Sequence, residues 1–160
     1  MAPGTFEPFH ITWFDAFVRM GTAFCLPLMI GIERFYHKKP IDFRPFVIVS
    51  LAACSLSLAA LEVAHRTVED QISIDPTRVF AGVITGIGFL GAGAMFRDGG
   101  FVKGGGSAAS ILAAGAIGIV SGVGLIWLAF MTCVPILVML VLTRNMTDQY
   151  DAGGSPKKEA

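Results

Sequence analysis

Long apolar runs alternate with short polar connections along this chain. The first run covers residues 13–32, with Asp15 and Arg19 near its start and Pro27 inside it. The second covers 45–64 and holds Glu62 close to its end, and the third covers 79–96 without a charge. Residues 104–143 then continue for 40 positions with no charge at all. As one helix they would extend about 60 Å, roughly twice the hydrocarbon thickness of a bilayer. The run must therefore fold back once, and the SGVG of residues 121–124 is its helix breaker. A fourth span over 107–120 and a fifth over 125–142 result, the fourth short enough to extend backward into the GGG of 104–106. The pattern predicts an all-α membrane protein, a bundle of about five transmembrane helices occupying residues 13–143. A short outer segment, 1–12, precedes it, and a polar, disordered cytoplasmic tail, 144–160, follows.

Composition excludes a soluble reading. Apolar residues make up 54% of the chain, the mean hydropathy is +0.67, and charged residues are 15%, against about 25% in a soluble domain. Net charge is zero, so nothing points to a nucleic-acid partner. Cys25, Cys54 and Cys133 each sit in an apolar run, an odd number at no metal spacing, and read as small packing residues. Residues 1–12 contain no Lys or Arg, so the basic n-region of a signal peptide is missing, and the expectation is a chain that starts at its mature end.

The placement of charge predicts orientation. Arg34, Lys38, Lys39, Arg44, Arg97, Lys103, Arg144, Lys157 and Lys158 fall on one side of five crossings. Arg66 falls on the other, with Arg19 and Arg78 at span ends and the acids Glu7, Glu62, Glu69, Asp70 and Asp75. The positive-inside rule then gives N-out and C-in.

Gly86, Gly88 and Gly91 spell G-x-G-x-x-G, the phosphate-binding turn of dinucleotide folds. That turn needs an acid about 20 residues on; here Asp98 comes too early and the next acid is Asp148. Asp75 followed by Pro76 marks a helix start instead, so no nucleotide and no cofactor is expected. Gly82 with Gly86, and Gly88 with Ala92, are small-xxx-small pairs that allow helices to approach closely in lipid. Gly82, Gly86, Gly88, Gly91 and Gly93 are therefore read as packing residues, with span three as the central helix. Ala109, Ala113, Ala114, Gly115 and Gly118 repeat the pattern in span four.

The segment DPTRVFAGVITGIGFLGAGAMFRDGGFVKGG, residues 75–105, closely resembles the signature of the MgtC/SapB family of bacterial membrane proteins. Arg19 and the GIER of residues 31–34 match that family's arginine and G-x-E-R. The resemblance covers residues 17–142, the transmembrane domain, with no counterpart of the soluble C-terminal domain of larger members. It departs at Asp42-Phe43-Arg44-Pro45, where the family has G-L-R-T, and at 105–109 and Leu112, where it has L-T-T-A-A and a tryptophan. What the resemblance implies is a multi-pass inner-membrane protein linked to growth at low magnesium, to stress adaptation and to virulence. Magnesium transport is a frequent description of the family.

Ionisable groups near the spans are the candidate functional residues, because each is costly to place there. Asp15 and Arg19 share a helix face and, with Asp75 and Arg78, form a candidate outer polar network. Glu33, Arg34, Arg44 and Arg97 form a candidate inner network beside the GGGS turn, where free helix N–H groups attract anions such as lipid phosphates. His10, His37 and His65 lie in different loops and make no joint metal site, and the metal question stays open. Pro27 and Pro135 are expected to kink their spans. No nucleophile–base pair or H-E-x-x-H motif occurs, so the expectation is not an enzyme. It is a protein that works through membrane partners, including a homodimer, with a small-ion (Mg²⁺ or other cation) transporter or channel as the alternative. A reporter fused after Ala160 is expected to be active only in its cytoplasmic form; periplasmic activity would overturn the orientation.

Overall fold

The computed structural model describes residues 10–36, 42–67, 75–98 and 101–142. Most of the expected outer segment and the whole tail 144–160 lie outside the described residues, as do His37, Lys38, Lys39, Glu69 and Asp70. Five helices follow one another: α1 Trp13–Tyr36, α2 Arg44–Thr67, α3 Pro76–Gly93, α4 Gly105–Val123 and α5 Ile126–Leu142. By length and composition α1, α2 and α4 suffice to cross a membrane, and α5 is apolar but shorter, with 17 residues. The 18 residues of α3 rise about 27 Å. The result is an all-α membrane bundle.

Local chemistry fixes the helix ends. At the start of α3 the Asp75 carboxylate accepts from the Thr77 N–H at 2.9 Å, with Pro76 in the first turn. At the end of α4, Gly124 takes φ 95°, its N–H reaches the Ser121 carbonyl at 2.9 Å, and the Leu125 N–H reaches Val120 at 2.9 Å. This is a Schellman end, open to glycine because φ is positive. It is the fold-back expected in the 40-residue run, made by Gly124 alone, while Gly122 stays helical. Pro27 and Pro135 both lie inside continuous helices.

Three features bear on the sequence expectation, two of them as corrections. The third helix stops at Gly93, and Phe96 belongs to a small antiparallel hairpin, β1 Phe96–Asp98 with β2 Phe101–Lys103, in the register Phe96↔Lys103 and Asp98↔Phe101. The sequence between the strands is Gly99-Gly100, a pair that suits a two-residue reversal. Second, the short fourth span extends backward into the GGG as expected, α4 starting at Gly105.

Third, α4 and not α3 is the central helix: it packs on α1, α2, α3 and α5. The reason is backbone access. A Cβ on Gly118 would collide with the Ser50 carbonyl, and one on Gly122 would lie 2.6 Å from the Cys54 carbonyl. Gly115 likewise lies against the Ile87 side chain. In α3, by contrast, Gly91 alone of the five expected packing glycines meets a neighbour, with a Cβ position 3.4 Å from the Ala108 carbonyl oxygen. Gly82, Gly86, Gly88 and Gly93 have nothing within 4 Å of that position.

These contacts also fix relative direction. Ser50 and Cys54 meet Gly118 and Gly122 in the same order, so α2 and α4 are parallel; Ile87 and Gly91 meet Gly115 and Ala108 in reverse, so α3 and α4 are antiparallel. Ile30, Phe46, Ile117, Cys54 and Cys133 are fully buried at the centre, whereas Cys25 is exposed on α1. Large apolar side chains such as Phe14, Phe17, Phe89, Trp127 and Met131 cover the outside. A surface of this kind suits lipid and not water.

Gly118→Ala and Gly122→Ala are expected to lower the melting temperature in detergent, through overpacking of about 1–3 kcal/mol per site. Gly86→Ala and Gly86→Leu are expected to leave it near the wild-type value. Equal losses at Gly86 and Gly118 would refute the assignment of α4 as the packing centre.

Candidate functional site

Each end of α4 meets an arginine of α1, and the two meetings differ in sign. At the C-terminal end the half-buried Arg19 donates from Nη1 to the Gly122 carbonyl at 2.9 Å. A Cβ on Gly124 would stand 2.9 Å from the Arg19 guanidinium, so glycine there leaves room for it. A cation at a helix C-terminus complements the dipole and satisfies a carbonyl that the helix leaves open. Arg19 is thus a cap for α4.

At the N-terminal end the arrangement is electrostatically opposed. Arg34 is buried, 8% exposed, and its Nη2 donates to Ser107 Oγ at 2.6 Å. Its Nη1 lies 3.3 Å from where a Cβ on Gly106 would be. Nε is buried with no acceptor among the described residues, and the Glu33 carboxylate one position earlier acts on the guanidinium through its charge. The α4 N-cap is Gly104, at φ 91°, which supplies no side-chain acceptor to the first N–H groups. A Cβ on Gly104 would collide with the Ala94 carbonyl, so the hairpin closes tightly onto the end of α3.

The expected outer network does not assemble. Asp15 accepts from the Thr12 hydroxyl at 2.7 Å, and its own N–H donates to Thr12 Oγ1 at 3.2 Å. Thr12 thereby caps the first turn of α1, and Asp15 is bound to that cap and not to Arg19. Asp75 caps α3 and accepts from both the hydroxyl and the N–H of Thr77, at 2.6 and 2.9 Å. Arg78 is exposed, and its N–H donates to the Asp75 carbonyl at 3.3 Å. Among the described residues no salt bridge joins these four. Asp15 lies at the start of α1, Asp75 and Arg78 at the start of α3, and Arg19 at the end of α4.

The inner set is only partly drawn together. Arg34 is held by Ser107, and Glu33 follows on the adjacent position of α1, half-buried. Arg44 is exposed and pairs with Asp42, Nε to Oδ2 at 3.2 Å. Arg97 lies in β1, and its side chain is outside the described residues. Ser107 is the residue that sequence reasoning missed, hidden because a serine among small residues reads as packing.

A further contact joins the start of α1 to the end of α2. The Glu62 carboxylate accepts from the Ile11 N–H at 2.8 Å and the His10 N–H at 3.1 Å, which ties the entry of α1 to the end of α2. His65 lies within α2 and not in a loop, and its ring stacks on His10 at 3.8 Å. Among the described residues no three His, Cys, Asp or Glu side chains converge to hold a metal.

The MgtC family profile matches residues 20–149. The chain belongs to the MgtC family. Among its relatives in that family, an uncharacterized protein of Haemophilus influenzae is 35% identical over 86% of this chain and 58% of its own length. Protein SapB of Bacillus subtilis is 29% identical over 80% of this chain and 57% of its own. Protein MgtC of Brucella abortus is 34% identical over 78% and 49%. The chain therefore spans about half the length of the curated MgtC-family relatives it matches. No solved structure matches it.

Asp75 offers a test outside the spans. The Thr77 hydroxyl, then the Thr77 N–H, hold its carboxyl below the usual carboxylate range, with Arg78 adding to this and desolvation opposing it. A depressed carboxylate stabilises the fold above its unfolded pKa, about 3.9, and the contribution is lost as pH falls through the lower folded value. The stability difference between wild type and Asp75→Asn is expected to be constant from about pH 7 to about pH 5 and to shrink below about pH 4. Melting curves across that range check it, and a difference that changes near neutrality would contradict the cap.

Proposed function

We propose that this MgtC-family chain is a non-enzymatic, multi-pass inner-membrane protein, N-out and C-in, that acts by binding other membrane proteins. The physiological setting proposed is adaptation to low magnesium or related stress, with a role in virulence; the resemblance to proteins named MgtC and SapB supports it. The observation that carries the mechanism is the centre of the bundle. There α2 and α4 meet backbone to backbone at Gly118 against Ser50 and Gly122 against Cys54. A seam of that closeness leaves no room for a hydrated ion between the two helices. The open face of α3 at Gly82, Gly86 and Gly93 is instead available to a partner helix in the membrane. A second copy of the chain is the simplest such partner.

A competing reading is a small-ion transporter or channel. It draws on Ser50 and Ser121, whose buried hydroxyls have no hydrogen-bond partner among the described residues, since intramembrane polar groups often mark ion paths. Purified protein in liposomes, loaded with dyes for magnesium and for monovalent cations, separates the two. The proposal expects no flux above that of empty liposomes. It also expects a dimer mass in nanodiscs that Gly86→Leu converts to monomer without loss of fold. Selective, saturable flux would replace the proposal with the transporter.

A further inference from the structure

We infer that the middle of the bundle carries a hinge, formed by Pro27 of α1 and Pro135 of α5, on which the N-terminal halves of these two helices swing together against α4. The hinge depends neither on the proposed partner nor on the orientation of the chain.

Two breaks in backbone hydrogen bonding lie at one level. Proline has no N–H, and its ring crowds the carbonyl four residues earlier. Pro27 therefore leaves the Ala23 carbonyl without its helical donor, and Pro135 does the same to the Met131 carbonyl. Lipid supplies no water to replace the donor, so these are the points where α1 and α5 bend most easily. The frame around them is different. α4 contains no proline, and Pro45 of α2 stands in the first turn, where no helical N–H is missed.

A contact sets the common level. The Cys133 thiol donates to the Leu26 carbonyl at 3.6 Å. Leu26 precedes Pro27 directly, and Cys133 stands two positions before Pro135. Arg19 meets the Gly124 position and Leu26 meets Cys133, in the same order, so α1 and α5 run parallel. Breaks at different depths would make each helix resist the bend of the other. Side by side, they share one axis.

The surroundings suit movement about that axis. Ala23, Ala129 and Cys133 are fully buried there, so the enclosed side chains are small. Each half of α1 also has its own anchor. After the proline, Gly31 lies against Phe43, with a Cβ position 3.0 Å from the Phe43 Cβ, and Arg34 donates to Ser107. Before the proline, Arg19 donates to the Gly122 carbonyl. This half-buried side chain is the catch that holds the N-terminal halves closed on the end of α4.

Double electron–electron resonance on the full chain in nanodiscs tests the hinge, with Cys25→Ser removing the exposed thiol. α3 is the reference helix, because it packs on α4 and, like α1, runs antiparallel to it. Spin labels go on exposed positions. Phe17→Cys with Ala81→Cys reports the N-terminal half of α1, and Phe130→Cys with Ala81→Cys that of α5. Ile32→Cys with Phe89→Cys is the control for the C-terminal half of α1.

The expected distance distributions are broader for the first two pairs than for the control. Pro27→Ala or Pro135→Ala alone is expected to narrow both of those pairs and to leave the control unchanged. Pro135 is exposed, so Pro135→Ala empties no buried space and is expected to melt no lower than wild type. Arg19→Gln is expected to broaden the first two pairs further, and Pro27→Ala in the same chain to cancel that gain. Equal widths in all three wild-type pairs overturn the inference. So does a proline variant that narrows its own helix alone, since the two breaks would then be separate kinks. A lower melting temperature of Pro135→Ala with unchanged widths would make that proline a fixed packing element and overturn the hinge. Broadening by Arg19→Gln that survives Pro27→Ala would mean fraying of the helix end, and overturns it as well.

Discussion

The backbone contact between α2 and α4 is the constraint on which the rest of the bundle depends. Lipid gives helices no hydrophobic reason to associate, so van der Waals contact has to hold them together. Gly118 and Gly122 bring the α4 backbone against the carbonyls of Ser50 and Cys54. Once α2 and α4 are that close, Ser50, Ser57, Ser107 and Ser121 are sealed inside. The hydroxyl of Ser57 turns to its own helix and donates to the Ala53 carbonyl at 2.8 Å. Phe46, Ile30 and Ile117 then fill the space around the seam, and α1, α3 and α5 are placed by which sides of α4 remain open.

The same closeness sets the chemistry at the two ends of α4. A helix enclosed by four others cannot rely on water for its free N–H and C=O groups. Arg19 serves the carbonyl end, and the Gly124 turn supports it by leaving room for the guanidinium. At the other end the hairpin brings in Gly104, which fits only because it has no side chain to collide with the Ala94 carbonyl. A glycine cap cannot complete the hydrogen bonding of the first turn. One pole of the helix is closed by Arg19, and the other begins at a glycine that supplies no side-chain cap.

Exposed glycines on α3 carry a different meaning from buried ones on α4. Both read alike as small-xxx-small, since the pattern states only that a close approach is permitted. Whether a neighbour takes up the offer depends on what lies opposite. Gly91 faces Ala108, while Gly86 faces open space within the chain. The long, exposed Phe89 and Leu90 on the same helix mark α3 as a peripheral element with a lipid-facing or partner-facing side.

Much of the architecture was legible in the chain, because a bilayer imposes length and polarity rules that local sequence must obey. The apolar runs located all five helices, the uncharged stretch of residues 104–143 demanded a fold-back, and Asp75-Pro76 marked the start of α3. The family was legible in the Asp75–Gly105 segment for the same reason, since motif and helix start coincide. Partner choice was not legible. Charge spacing suggested that Asp15, Arg19, Asp75 and Arg78 would pair with one another, yet Asp15, Arg19 and Asp75 found nearer backbone or hydroxyl groups. Arg34 met its hydrogen-bond partner Ser107, 73 positions away, only after α1 and α4 were set antiparallel. Local patterns determine where helices begin, end and cross, because those choices rest on a few consecutive residues. Which helix lies at the centre, and which group each charged side chain meets, depends on contacts between distant residues, and tertiary packing alone decided them.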